Sequence, residues 1–439
     1  MKCIEDEIPF ELPEGWEWCR FTSVTVNRDS ERKPISSANR TNVAKIYDYY
    51  GASGKIDKID KFIFNEKLLL IGEDGANLVT RSKPIAFFAE GQYWVNNHAH
   101  CIDSTDKLIL EYLCLYINAI SLEKYVTGSA QPKMTQDNMN SILIALPPYE
   151  EQKRLEFQVN HILKTVSTIE NEKEDIVNYI ISAKSKILDL AIRGKLVPQD
   201  SNDEPASVLL ERIRAEKEEL IKQGKIKRDK KESIIFKGED NSYYEKVGVE
   251  IRCIDSEIPF EIPDGWMYER LGNICSIARG GSPRPIENYL TDDENGLNWI
   301  KIGDTEQGGK YIYSTQQKIR PEGLSKTRYV CSGDFLLTNS MSFGRPYILR
   351  TNGCIHDGWL VIGGIEIAFH QDYLYYMLSS SIMYNALSSL AVGSTVKNLK
   401  SDSVKSLLVP IPPLAEQACI SRQIENYFAT MLPIERSLS

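Results

Sequence analysis

The sequence has little of what catalytic, metal-binding or membrane proteins need. Only five of its 439 residues are histidine, and nine cysteines run from Cys3 to Cys419 without one Cys-x-x-Cys pair. An odd count with no short spacing argues against a disulfide framework and a zinc knuckle, and no set of metal ligands emerges. No apolar run approaches the roughly 18 residues of a membrane span. Glu5, Asp6, Glu7 and Glu11 occupy the place of a signal-peptide core. A soluble, reduced, cytoplasmic protein is the expectation. No phosphate-binding glycine loop, Gly-x-Ser-x-Gly elbow, His-Glu-x-x-His pair or dinucleotide fingerprint is present, so no catalytic residues are assigned. Positive charge is also short. Lys plus Arg is 52 against 61 Asp plus Glu, a net of −9. The balance is −4 for residues 1–149 (16 against 20), −2 for 150–250 (19 against 21) and −3 for 251–439 (17 against 20). A protein that held nucleic acid by bulk electrostatics would be basic, so any DNA contact must rest on locally placed cations or a basic partner.

What is present is a repeat. KCIEDEIPFELPEGWEW (Lys2 to Trp18) returns 250 residues later as RCIDSEIPFEIPDGWMY (Arg252 to Tyr268). ALPPYEEQ, ending at Gln152, returns 265 residues later as PIPPLAEQ, ending at Gln417, and the same shift aligns Gly128-Ser129 with Gly393-Ser394. The chain is two copies of one plan, with constant edges and divergent interiors. At the edges Pro13 or Pro263 fixes φ, Gly15 or Gly265 allows a tight turn, and Trp16 or Trp266 can bury a large face, as a domain closure needs. The interiors read as strands and turns at residues 46–54, 68–77, 83–95, 296–304, 333–341 and 356–364. Helices are predicted over 112–124 and 373–387.

After Pro147-Pro148, apolar residues recur in steps of four and three: Leu155, Val159, Ile162, Val166, Ile169, then Ile176, Ile180, Ala183, Ile187 and Leu190, with Lys173 the one polar seam position. This is a coiled-coil signature, and Gly194 is placed to end the helix. A shift of 265 carries the seam to Ile420, Ile424, Tyr427, Met431, Ile434 and Leu438. The second helix is about half as long, and Pro433 should kink it. A long helix with a bare apolar stripe is unstable in water. The two helices are therefore expected to pack antiparallel, with one globular unit at each end. The fold class is mixed α/β: a first domain at 1–149, a coiled-coil helix at 150–193, a helical connector at 194–250, a second domain at 251–413 and a short helix at 414–439. The basic run Lys225, Lys227, Arg228, Lys230, Lys231 reads as a solvated helix end. His98 and His100 alternate on one strand face and read as a surface pair. Leu146-Pro147-Pro148-Tyr149 mimics an amino-methyltransferase motif, but leucine cannot accept the hydrogen bond that motif requires.

The phrases LPEGWEW, LLLIGEDGAN, GSAQPKMTQDNM and AKSKILDLAIRGKLVPQ, then IPDGW, ARGGSPRPIE, WIKIGD, HDGWLVI and IPPLAEQ, resemble the specificity (S) subunits of type I restriction-modification systems across essentially the whole chain. The resemblance implies two target-recognition domains, each reading half of a split double-stranded DNA sequence. It also implies helices that set the spacing and dock methyltransferase (M) subunits. S-adenosylmethionine, ATP and Mg are then expected on the M and restriction (R) subunits, not on this chain. In one respect the sequence departs from the pattern: its second helix is shorter than the first. That leaves open whether the chain is complete or a partner supplies the missing half. Base readers are expected among loop amides and cations: Asn77, Arg81, Asn96, Asn97, Lys133 and Gln136 in the first domain, and Arg279, Arg284, Asn339, Ser340, Arg345, Lys397 and Asn398 in the second. The loops Gly128–Thr135 and Gly393–Lys400, which share one slot, are the strongest candidates. The alternative is a coiled-coil interaction scaffold without DNA specificity, which the acidic balance favours.

Overall fold

The computed structural model describes residues 5–128, 130–228, 232–306, 308–340, 343–391 and 398–438. The chain forms two units, residues 1–171 and 172–439. Helix Tyr149–Ile192 continues without a break through the point of division.

Divergent interiors fold alike. In the first unit, strands Val26–Asn27, Ala99–Asp103, Leu68–Gly72 and Ala86–Ala89 form one antiparallel sheet in that order. Gly54–Ile59, Tyr47–Gly51, Gln92–Val95 and Phe64–Asn65 form a second, whose central pair is parallel. The second unit repeats both orders. Ser276–Arg279, Trp359–Gly363, Phe335–Thr338 and Pro346–Leu349 make the first sheet, with Tyr311–Ile312 added at its edge. Gln317–Ile319, Leu297–Ile300, Gly353–Ile355 and Arg328–Val330 make the second, with Leu290–Thr291 added at its edge beside Gln317–Ile319 and again with a central parallel pair. Leu68–Gly72 and Phe335–Thr338 are buried along their whole length, which is why they read as unbroken apolar runs.

The constant edges close each unit. Glu17–Arg20 pairs with Leu143–Leu146, and Met267–Arg270 with Leu408–Ile411. Trp16 Nε1 donates to Glu151 at 3.1 Å, and Trp266 Nε1 to Glu416 at 2.8 Å. Arg20 joins Glu7 and the Ser141 carbonyl, as Arg270 joins Glu257 and the Ser406 carbonyl. Gln152 and Gln417 each donate to the carbonyl five residues back, at Pro147 and Pro412. Sequence positions stay constant where both ends of the chain segment must meet.

Two helices differ from expectation. The first spans Lys107–Ala119, five residues early, because Asp106 accepts from Leu108 N and caps its start. The second is split into Gln371–Ser379 and Ser381–Leu390, because Ser380 Oγ donates to the Met377 carbonyl and accepts from Met383 N. Between the long helix and the second copy lie helix Ala206–Lys222 and a three-stranded antiparallel sheet, residues 233–253.

Within the second unit the long helix and the C-terminal helix Leu414–Leu438 run antiparallel. Lys184 meets Glu435 at 2.6 Å, while Gln199, past the helix end, meets Glu416 at 2.7 Å. The C-terminal helix continues through Pro433. The expected seam is only partly buried. Ile180, Ile420 and Ile424 are buried, but Ile162, Val166, Ile169 and Ile176 are 59, 46, 59 and 40% exposed, and Tyr427 is 40% exposed. Leu188, Ala191 and Ile192, off the heptad seam, make the core contacts instead. A 3.6-residue helix drifts about 20° per heptad, so the contact line leaves a strict seam. Among the described residues no helix is long and apolar enough to cross a membrane.

Candidate nucleic-acid interface

In each unit three loops meet at the edge of the first sheet, held by the same backbone bonds. The loop after the central strand donates from Glu73 N to His98 O at 2.9 Å in the first unit, and from Asn339 N to Gly358 O at 2.9 Å in the second. The third loop then docks through Met134 N to Glu73 O (2.7 Å) and Leu399 N to Asn339 O (2.9 Å). The turn between is also shared. Asn96 Oδ1 accepts from His98 N at 2.8 Å, and His356 Nδ1 from Gly358 N at 2.6 Å. The slot singled out by the repeat thus sits in equivalent places in both units. Ser129, residues 393–397 and the candidate Lys397 lie outside the described residues.

The side chains on this shared frame differ. In the first unit Lys133 reaches Glu73 at 3.1 Å, and exposed His98 reaches Asp74 at 2.7 Å. Beneath them is a buried charge network. His100 is 1% exposed, and both its ring nitrogens face acceptors: Asp29 Oδ2 at 2.6 Å and the Met134 carbonyl at 2.9 Å. Arg32 joins Glu73 at 2.6 Å, Asp29 at 3.2 Å and the Ala99 carbonyl at 2.7 Å. Burial alone would raise the Asp29 and Glu73 pKa values, but the hydrogen bonds from His100 and Arg32 outweigh it and hold both carboxyls low. The network ties the third loop to the sheet. His98 and His100 are therefore not a surface pair: one is exposed and the other is enclosed.

In the second unit the frame gathers its polar groups on Asp357. Arg279 Nε donates to its carbonyl at 2.9 Å, Asn339 Nδ2 to the same carbonyl at 2.7 Å, and Ser282 Oγ to its carboxylate at 2.8 Å. Arg284 approaches the carboxylate at 3.3 Å and stays 79% exposed. Burial of Asp357 works against its charge, but the Ser282 hydrogen bond and the neighbouring His356 and Arg279 keep its pKa low.

Several expected readers have other roles. Arg81, at φ +50°, puts its guanidinium on the carbonyls of Ile117, Asn118 and Ile120 and caps helix Lys107–Ala119. Asn77 staples its own loop through Ser82 and Lys83. Asn96 is buried in its turn, and Asn339 is fully buried, with Oδ1 lacking a hydrogen-bond partner among the described residues. Asn97, Gln136 and Arg345 are exposed, and no side-chain hydrogen bond holds them among the described residues; Ser340 and Asn398 are half-buried. Asp357 was missed, although the His-Asp-Gly-Trp phrase carried it. Asp29 and Arg32 left no sequence signal, because His100 and Glu73, which they bind, lie 71 and 41 residues away. Arg228 of the basic run pairs with Glu218, and Lys230 and Lys231 lie outside the described residues. No cluster of potential metal ligands occurs among the described residues, and every cysteine there is free.

A profile of the type I restriction modification DNA specificity domain matches residues 13–187 and 263–438, which are the two copies with their helices. The chain belongs to this family. It is 27% identical to the EcoEI type I restriction enzyme specificity subunit of Escherichia coli, over 98% of this chain and 80% of that relative. It is 29% identical to the EcoAI specificity subunit of the same organism, over 63% of this chain and 54% of the relative, so it spans about half of that protein. A solved structure from work on complex assembly and conformational transition of the type I restriction-modification system shares the fold, with a TM-score of 0.57 at 16% identity, covering 98% of this chain and 94% of that one. The two units are the repeated recognition domains of a type I specificity subunit. Nothing in these matches supports the interaction-scaffold alternative.

Proposed function

We propose that each recognition domain reads one half of a bipartite double-stranded DNA target through its three-loop frame. The observation that carries this reading is that one backbone frame displays two different sets of polar side chains. One set is Lys133, His98, Asn97 and Gln136; the other is Arg284, Arg279, Arg345 and Asp357. A common frame with exchanged donors and acceptors is what base-edge readout requires. The chain itself does no covalent chemistry. Its long helix sets the gap between half-sites, and the helices dock M subunits, with R joining the assembly. S-adenosylmethionine, ATP and Mg belong to those partners, which also supply bulk phosphate attraction, in keeping with a chain of net charge −9. The assembly works in the cytoplasm. The test is exchange of residues 11–147 for the same segment of a relative, followed by methylome sequencing. One half of the methylated sequence should change and the other stay. Alteration of both halves would refute independent readers.

A further inference from the structure

A fourth loop reaches the recognition frame in each unit, and it comes from the second sheet. In the first unit strand Tyr47–Gly51 runs parallel to Gln92–Val95, and Tyr50 O accepts from Asn96 N at 3.1 Å. In the second unit Leu297–Ile300 runs parallel to Gly353–Ile355, and Ile300 O accepts from His356 N at 3.3 Å. The loops that follow, residues 51–54 and 301–304, therefore hold one place in the repeat, 250 residues apart. Both press on the frame. A Cβ on Gly72, one residue before Glu73, would stand 2.7 Å from Ala52 O. Ile302 N donates to His356 Nε2 at 3.2 Å, and Ile302 Cδ1 would lie 3.1 Å from a Cβ on Gly358.

In the second unit the polar side chains of this loop are already engaged. Asp304 accepts from Lys301 N at 2.7 Å and from Gln316 N at 3.1 Å, and Lys301 Nζ donates to Gln317 at 2.9 Å. Ile302 is buried. Gly303 is exposed, and nothing in the fold requires it to be glycine. It lies in the right-handed turn Ile302–Asp304 without a left-handed φ, and a Cβ built on it meets nothing within 4 Å. Every other glycine among the described residues either has a left-handed φ or would bring its Cβ within 4 Å of a neighbour. In such a turn glycine only adds conformational freedom that folding must remove. Its advantage lies outside the fold, in letting another molecule come close to the backbone. The matching residue of the first unit is Ser53, also small, half-buried and without a side-chain hydrogen bond among the described residues.

We infer that Gly303 seats the sugar-phosphate backbone of the DNA, and that Ser53 holds the same place in the first domain. A loop whose polar side chains are engaged cannot discriminate bases. A bare main chain can let the duplex settle against the frame, and so fix the register in which Asp357, Arg284 and Arg279 meet base edges. Gly303 is thus a positioning residue. The inference rests on the proposed reading of DNA by this frame.

The test is binding of the chain, assembled with its M subunits, to a labelled duplex carrying the methylated sequence that methylome sequencing identifies. Gly303→Ala should raise Kd about fivefold and Gly303→Leu about tenfold or more, as a side chain wedged into a close contact does. Urea midpoints should be no lower than that of the parent chain, and the methylated sequence should not change. Unaltered affinity in both variants overturns the inference. A fall in stability that accompanies the loss of binding also overturns it, because the side chain would then be disturbing the fold. A changed methylated sequence overturns the assignment to the sugar-phosphate backbone, since bases would then face the loop. Arg284→Ala combined with Arg345→Ala separates this inference from the reading beneath it. If that double variant relaxes the second half-site while Gly303→Leu binds normally, the inference alone fails; if neither has an effect, the reading fails with it.

Discussion

Deleting one heptad, Ile169 to Asp175, tests the helix as a ruler. All seven residues are exposed, and among the described residues none makes a side-chain hydrogen bond or ion pair. The buried contacts of Ile180, Leu188, Ala191 and Ile192 lie beyond the cut, and those of Leu155 and Val159 before it. The cost in stability is therefore that of surface changes, within about 0.5 kcal/mol. The helix shortens by about 10 Å, and seven residues fall only about 20° short of two full turns, so the apolar stripe keeps its phase. Along B-DNA about 10 Å is about three base pairs, which turns one half-site by roughly 100° about the duplex. The variant, assembled with its M subunits, should methylate the same two half-sequences across a gap about three base pairs shorter. Methylation of a library in which only the gap varies, read by sequencing, measures this directly. An unchanged gap preference in a variant with normal circular dichroism would refute the ruler, since helix length would then be uncoupled from spacing.

Other outcomes follow from particular contacts. Arg81→Ala removes the cap on helix Lys107–Ala119 and should lower stability by about 2 kcal/mol in urea unfolding, with the first half-site unchanged; Lys133→Ala should relax that half-site at little cost in stability. Gly194→Ala forces a side chain into positive φ and against Pro263, and should cost about 2–5 kcal/mol by the same measurement. Hydrogen bonding from Arg270, opposed by burial, pulls Glu245 down to about 2. Because the folded value lies below the usual carboxylate value, its contribution is complete above about pH 4.5 and is lost as pH falls toward 2. Glu245→Gln should remove about 3 kcal/mol of that acid dependence, seen in urea titrations at stepped pH.

The sequence alone determined the repeat, the closing edges, the long helix and the family, because each of these is written in local pattern. Pro-x-Gly-Trp, with Glu or Asp at x, and Pro-Pro-x-x-Glu-Gln stay constant since Trp16 must meet Glu151 and Trp266 must meet Glu416, so the contact leaves a mark at both ends. Apolar steps of four and three mark a helix wherever it lies. Tertiary structure decided which polar residues are available to bind. Arg81, Asn77 and Asn97 look alike in sequence, as polar residues near the ends of predicted strands. Arg81 is consumed by carbonyls nearly 40 residues away, Asn77 by its own turn, and Asn97 is held by no side-chain hydrogen bond among the described residues. Tertiary structure also decided which part of the helix is covered, since a periodic stripe records that a face is apolar but not what lies against it. Ile424 and Val159 hold the same position in the repeat. One is fully buried beneath residues 180–199, and the other lines an open cleft, because a side chain's burial depends on a segment far from it in the chain.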